Sequence, residues 1–258
     1  MPQQNDKTMI FYFSGCGNSR HVAETIAAGL NDTLTFIPEA ARKSLYDYDI
    51  AEGERLGFVF PVYSWAPPKL VLDFVEKLQM EKPRYIYFVC TMGDECGFTE
   101  KIFRKAIEQK GWSLSACFSV QMPETYIGMP GFKLDTPENA QRKIDNANDL
   151  LKRNIPRLIN KESFSEIIVG SLAWLKTYLV NPGFNRFATD DSKYHVTEAC
   201  IHCGKCVETC PLKNITLENG RPKWQGNCTM CMGCYHHCPV NAIQYGKATV
   251  GKGQYVFR

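Results

Sequence analysis

One figure is written twice near the end of this 258-residue chain: Cys200, Cys203, Cys206, Cys210, Pro211, and then Cys228, Cys231, Cys234, Cys238, Pro239, a displacement of 28 residues from Cys200 to Cys228. It uses eight of the twelve cysteines; Cys16, Cys90, Cys96 and Cys117 are scattered earlier. The chain begins Met1-Pro2-Gln3-Gln4-Asn5-Asp6, too polar for the apolar core of a signal peptide. The expected compartment is therefore the cytoplasm, where a disulfide framework at this density has no use and bound metal is the better reading.

A zinc site closes with four ligands and needs neither a third cysteine at the next x2 interval nor a duplicated Cys-Pro ending. Each copy reads C-x2-C-x2-C-x3-C-P, in which three close thiolates wrap one iron–sulfur cube and the fourth, ahead of the proline, reaches the other cube. The expected ligand sets are Cys200, Cys203 and Cys206 with Cys238, and Cys228, Cys231 and Cys234 with Cys210, each around a [4Fe–4S] cluster. Gly204 and Gly233 keep the loops slim, and Pro211 and Pro239 fix the turns. Neither copy can bury much apolar surface alone, so metal supplies much of what holds the region together. A full set of eight cysteines leaves no vacancy for His202, His236 or His237, which are expected at the surface or in supporting hydrogen bonds.

The first 160 residues read differently. Buried strands are expected at Met9 to Phe13, Leu34 to Ile37, Leu56 to Phe60, Tyr85 to Cys90 and Leu114 to Val120. Helices are expected from Ser19 to Leu30, after Pro67-Pro68, from Thr99 to Lys110 and from Thr136 to about Ile159. Near-continuous apolar strands separated mostly by helices imply a parallel sheet covered on both faces, with ligands at the carboxyl ends of the strands. Between the halves, Phe164 to Leu179 is expected to form an amphipathic helix across the junction, broken at Asn181-Pro182-Gly183.

Composition narrows the function. With 44% hydrophobic and 22% charged residues the chain can bury a core. A net charge of +3 is too small to argue for nucleic acid or a membrane surface, and no apolar run approaches the roughly 18 residues of a membrane span.

After the first strand come Ser14, Gly15, Cys16, Gly17, Asn18 and Ser19, a glycine- and hydroxyl-rich turn into a helix, which offers backbone N–H groups and a positive dipole end to a phosphate. Phe11 to Ser19 resembles the FMN-phosphate loop of flavodoxins, whose usual form is S/T-x-T-G-N-T/S. Two more loops fit that family: Pro61, Val62, Tyr63, Ser64, Trp65 and Ala66 after the third strand, and Thr91, Met92, Gly93, Asp94 and Gly97 after the fourth. The tail resembles two-cluster bacterial ferredoxins over roughly its last 65 residues, with every ligand position filled. Together the halves resemble the flavodoxin–ferredoxin fusion proteins of anaerobic bacteria and archaea.

That resemblance implies an α/β fold with a flavodoxin-like doubly wound five-stranded parallel sheet over residues 1–160, a partly helical linker over 161–191, and a small α+β two-cluster ferredoxin domain over 192–258. It implies FMN and two [4Fe–4S] clusters as cofactors. Ser14 to Ser19 would hold the phosphate, Trp65 or Tyr63 would stack on the flavin ring unless they are core aromatics, and the Gly93 backbone would meet flavin N5. Cys16 stands where that family usually has threonine, and a thiol at a helix N-terminus is expected to have a lowered pKa. A phosphatase loop, C-x5-R, is excluded because Val22 stands where the arginine belongs.

Two functions stay open. One is an electron-transfer protein that couples two-electron to one-electron traffic and docks a redox partner protein. The other is an FMN-dependent oxidoreductase that passes electrons from the clusters to a small organic acceptor or a free flavin. Asp94, Glu95 and Glu124 are proton-donor candidates by loop position alone, against the plainer expectation of solvated surface carboxylates.

Overall fold

The computed structural model describes residues 8–50, 54–129 and 131–257; the polar start, Met1 to Asp6, lies outside the described residues. One sheet dominates the first half. Its strands β1 (Met9–Tyr12), β2 (Thr33–Phe36), β3 (Arg55–Pro61), β4 (Tyr85–Met92), β5 (Leu114–Gln121) and β6 (Phe164–Glu166) pair in parallel, in the order β2-β1-β3-β4-β5-β6. The first five follow the flavodoxin-like doubly wound order, which reverses between β1 and β3 and opens a crevice there. All eight residues of the central strand β4 are buried, as a sheet covered on both faces requires.

The helices are α1 (Asn18–Leu30), α2 (Ile37–Arg42), α3 (Lys69–Lys77), α4 (Thr99–Gln109) and α5 (Pro137–Ile159). α1 and α5 cover one face through Val22, Ile26, Ala147 and Leu151. α3 and α4 cover the other through Val71, Phe74, Phe103 and Ile107. Phe103 meets Phe58, Phe60 and Phe88 at centroid distances of 5.2, 5.0 and 5.0 Å, each contact adding about 0.5–1.5 kcal/mol beyond simple burial. α2 takes over Ile37, expected as the end of a strand, because Pro38 has a φ preset for a first helical turn.

The junction departs most from the sequence reading. Phe164 opens no helix; it starts β6, a sixth strand on the β5 edge. The Arg157 guanidinium lies 3.6 Å from the centre of the Phe164 ring and pairs with Glu166 at 2.6 Å, fixing β6 to the end of α5. Helical structure begins at Ala173 and runs on through Asn181–Gly183 to Ala188. The expected break is absent because wide i→i+5 turns at Lys176–Val180 and Phe184–Ala188 flank Pro182 and relieve the clash of its ring with the preceding turn. Asn181 also anchors the run by donating to the Tyr63 carbonyl at 3.1 Å.

The tail forms two antiparallel pairs, β7 (Tyr194–Val196) with β10 (Ile243–Tyr245) and β8 (Ile215–Glu218) with β9 (Arg221–Trp224), with short helices Lys205–Thr209 and Gly233–His236. Its core packs Tyr194, Ile215, Tyr235 and Ile243, and includes Ile127 from the loop after β5. Among the described residues, no helix is long and apolar enough to cross a membrane.

Candidate functional site

The carboxyl ends of β1, β3, β4 and β5 open on a cavity of about 940 Å³, at the upper end of the roughly 300–1,000 Å³ usual for ligand pockets. From the first loop, Ser14, Gly15, Cys16, Asn18 and Ser19 line it; from the second, Pro61, Val62, Tyr63, Ser64 and Trp65; from the third, Thr91, Met92, Gly93 and Asp94. Gly17, Ala66 and Gly97 do not reach the wall. Gly17, at φ 101°, instead lets the chain turn into α1. Gly97, at φ 56°, gives space to Trp65, whose Cβ and carbonyl oxygen would lie 2.6 and 2.9 Å from a Cβ at position 97.

The first loop suits an anion. α1 starts with no side-chain cap and no acidic residue in its first turn, so its positive end is not met by a carboxylate there. The Ser14 hydroxyl accepts from Gly17 N at 3.2 Å, and Ser19 Oγ shares a 2.7 Å hydrogen bond with Thr91 Oγ1, tying the loop to β4. Cys16 corrects the expectation of a lowered pKa. Its side chain is buried, and burial pushes the thiol up to about 12, outweighing a hydrogen bond with Thr125 that lowers it.

The aromatic loop is held on its edge. Ser64 and Trp65 both have positive φ, 49° and 62°, in a turn closed by Tyr63 N to the Ala66 carbonyl at 2.9 Å. The indole N–H of Trp65 donates to Glu95 at 2.9 Å, Glu95 pairs with Lys176, and the Lys176 ammonium lies 5.4 Å from the Trp65 ring centre. Glu95 is therefore no solvated surface carboxylate. Its burial would raise its pKa, but bonds from Lys176, Ser171 and Trp65 bring the net shift down. Glu124 also departs from that expectation: it is half-buried against Gly93 on the cavity wall, and burial raises its pKa.

Two smaller cavities lie in the tail. Cys200, Cys203, Cys206 and Cys238 line one; Cys210, Cys228, Cys231 and Cys234 line the other. The fourth cysteine of each copy thus sits with the first three of the other. Backbone N–H groups of Asn214, Met230 and Ala242 donate to the sulfurs of Cys210, Cys228 and Cys238 at 3.3, 3.3 and 3.2 Å, as suits thiolates holding an iron–sulfur group. The 4Fe-4S dicluster domain family matches residues 199–243.

The tail thus matches a 4Fe-4S dicluster domain, and the sheet ahead of it has the flavodoxin-like strand order. Among solved structures the chain is similar to a Trp repressor binding protein from Bacillus subtilis, at 13% identity and TM-score 0.38, over 57% of this chain and 96% of that one. It is also similar to an FMN-dependent NADH-azoreductase from Bacillus anthracis, at 9% identity and TM-score 0.36, over 60% and 100% of the two chains. A third is the rubredoxin oxygen:oxidoreductase of Desulfovibrio gigas, at 13% identity and TM-score 0.35, over 60% of this chain and 37% of that one. No curated protein matches the chain.

The dicluster domain completes the large cavity. Met230, Cys231, Met232 and Tyr245 line it, as do Leu179, Val180, Phe184 and Phe187 of the junction helix. Apart from Cys231, expected as a cluster ligand, these residues escaped the sequence reading, although the repeat carried a signal. His202 and Gly204 of the first copy become Met230 and Met232 in the second; all four have positive φ, yet His202 is exposed while the two methionines are buried. A duplicated backbone with an apolar second copy marks the copy that faces a partner surface.

That contact is dense. His236, expected at the surface or in a supporting bond, is buried, with Nε2 bonded to the Thr125 carbonyl at 2.7 Å and Nδ1 accepting from Tyr255 N at 3.2 Å; burial lowers its pKa to about 4. The Lys252 ammonium donates to the carbonyls of Ile127, Met129 and Phe132 at 2.9, 3.1 and 2.7 Å. Phe257 stacks on His21 at 4.3 Å, and its N–H donates to the Cys16 carbonyl at 2.9 Å.

Proposed function

We propose that the chain carries electrons between FMN, held in the large cavity, and two [4Fe–4S] clusters held by the eight tail cysteines. One observation carries the reading: Cys231 lines both the large cavity and the second cysteine cavity, so one ligand residue is shared by the two sites. FMN, when bound, supplies the exchange of electron pairs for single electrons. The residues do the rest. The open start of α1 with Ser14 and Ser19 holds the phosphate, Tyr63 and Trp65 border the ring, and Leu179, Val180, Phe184 and Phe187 exclude water. Covalent linkage keeps the cluster domain at high effective concentration beside the flavin site.

Cys203 is exposed in the first cysteine cavity, which supports entry of electrons there from a redox partner protein and onward passage through the second cluster. Anaerobic purification with iron and flavin counts tests the assignment: about eight irons and one FMN per chain are expected, and about two zincs without flavin overturn it. A second reading has its own support. The cavity extends beyond the three loops to Met129, Phe132 and Phe187, leaving an apolar wall for a small organic acceptor. Steady reduction of such acceptors by the reduced protein, without a partner, selects the oxidoreductase; its absence selects the carrier.

A further inference from the structure

Glu124 sits just past β5, where its surroundings hold one carboxylate oxygen and leave the other aimed at the loop after β4. Oε1 accepts from the N–H groups of Thr125 and Tyr126 at 2.9 and 2.7 Å, and the backbone N–H of Glu124 donates to Asp135 Oδ2 at 2.8 Å. Oε2 occupies the space that a side chain at position 93 would fill, so Gly93 is what admits it. Both residues line the large cavity. We propose that Glu124 Oε2 stores the proton taken up when the flavin of this cavity is reduced, an inference that rests on the FMN reading above.

The charged groups around Glu124 favour the role. Lys143 of α5 faces it, but its ammonium pairs with Asp135 at 3.0 Å and Asp94 at 3.6 Å, so its charge is already shared between two carboxylates. Asp94, from the loop after β4, adds negative potential. Burial, helped by Asp94, outweighs the two amides and Lys143 and raises the Glu124 pKa above the ordinary carboxylate value. The balance is simple: FMN, two electrons and two protons give the dihydroflavin, with one electron from each reduced cluster. One proton leaves Glu124 as its O–H bond breaks and the other comes from solvent; the carboxylate then takes a proton back through the open cavity.

Glu124→Gln is the test, because an amide oxygen still accepts from Thr125 and Tyr126 while the proton is lost. The holoprotein, with its iron and flavin counted, is reduced by a low-potential one-electron donor at a series of pH values. Flavin reduction in E124Q should slow about 100-fold, within the range of general acid catalysis, and lose its pH dependence, with Glu124→Asp partly restoring both. Independently of turnover, the break in a plot of flavin midpoint potential against pH should vanish in E124Q. A variant that keeps the wild-type rate, pH profile and potential break overturns the inference. Wild-type protein with eight irons and no FMN overturns the parent reading as well, so the flavin count tells the two failures apart.

Discussion

The Cys16 thiol donates to the carbonyl oxygen of Cys231 across 3.4 Å, joining residues 215 apart in sequence. The loop that ends β1 therefore touches the loop that carries Cys231, a proposed cluster ligand, and the spacing between them is set by glycine. A Cβ at Gly15 would lie 2.6 Å from Cys231 Cβ and 3.0 Å from its carbonyl oxygen, while one at Gly233 would lie 2.9 Å from the Gly15 carbonyl.

Gly15→Ala should consequently force the two loops apart. Overpacking of this kind costs about 1–3 kcal/mol. Thermal unfolding should show the loss, and laser-initiated reduction should show slower electron exchange between cluster and flavin. Unchanged stability and unchanged exchange would refute the tight contact.

The proposed crossed ligation predicts two different cysteine variants. Cys210→Ala and Cys238→Ala should each lower the iron content from about eight to about four. Only Cys238→Ala should keep fast flavin reduction by the remaining cluster, since Cys210 shares its cavity with Cys231. The opposite pattern in iron analysis and photoreduction would exchange the ligand sets.

Thr177 holds the junction helix to the cavity rim. Its buried hydroxyl accepts from Phe98 N at 3.0 Å and donates to the Trp65 carbonyl at 3.1 Å. Thr177→Val keeps the shape and orphans both groups, so a loss of about 1–3 kcal/mol is expected, with faster flavin dissociation. Denaturant unfolding and a flavin-release assay measure the two effects.

Acid should weaken the loop that positions Glu124. Burial by itself would raise the Asp135 pKa, but the Glu124 N–H, Lys143 and Asn139 outweigh it and the net shift is down. A carboxylate with a lowered native pKa contributes stability in full above its unfolded pKa of about 3.9, and loses it as pH falls through the native value. Asp135→Asn should cost about 2 kcal/mol at pH 6, from charged hydrogen bonds, and the gap to wild type should close below about pH 4. Urea unfolding of both proteins across that range measures the gap, and a gap that stays constant would contradict the prediction.

Much of the fold was legible because its signals are local. Apolar runs of strand length separated by amphipathic helices lie in the chain itself, and Thr136 ahead of Pro137 announces α5, accepting from Asn139 N at 3.3 Å. The run from Phe164 to Ala188 was not legible in this way. Whether Phe164 extends a sheet depends on the free edge of β5, and whether Pro182 breaks a helix depends on wide turns and on the Tyr63 carbonyl that holds Asn181.

By itself the sequence determined the grouping of the three close cysteines of each copy, because short-loop spacing brings those sulfurs together whatever surrounds them. It likewise determined the three strand-end loops, because a parallel sheet has ligand-accepting ends on one side only. Only the tertiary structure decided that the second cysteine copy faces those loops, that Cys16 is buried instead of poised as a thiolate, and that Glu124 lies against Gly93. Burial and long-range contact set these properties, and both arise from residues distant in the chain that meet only after it has folded.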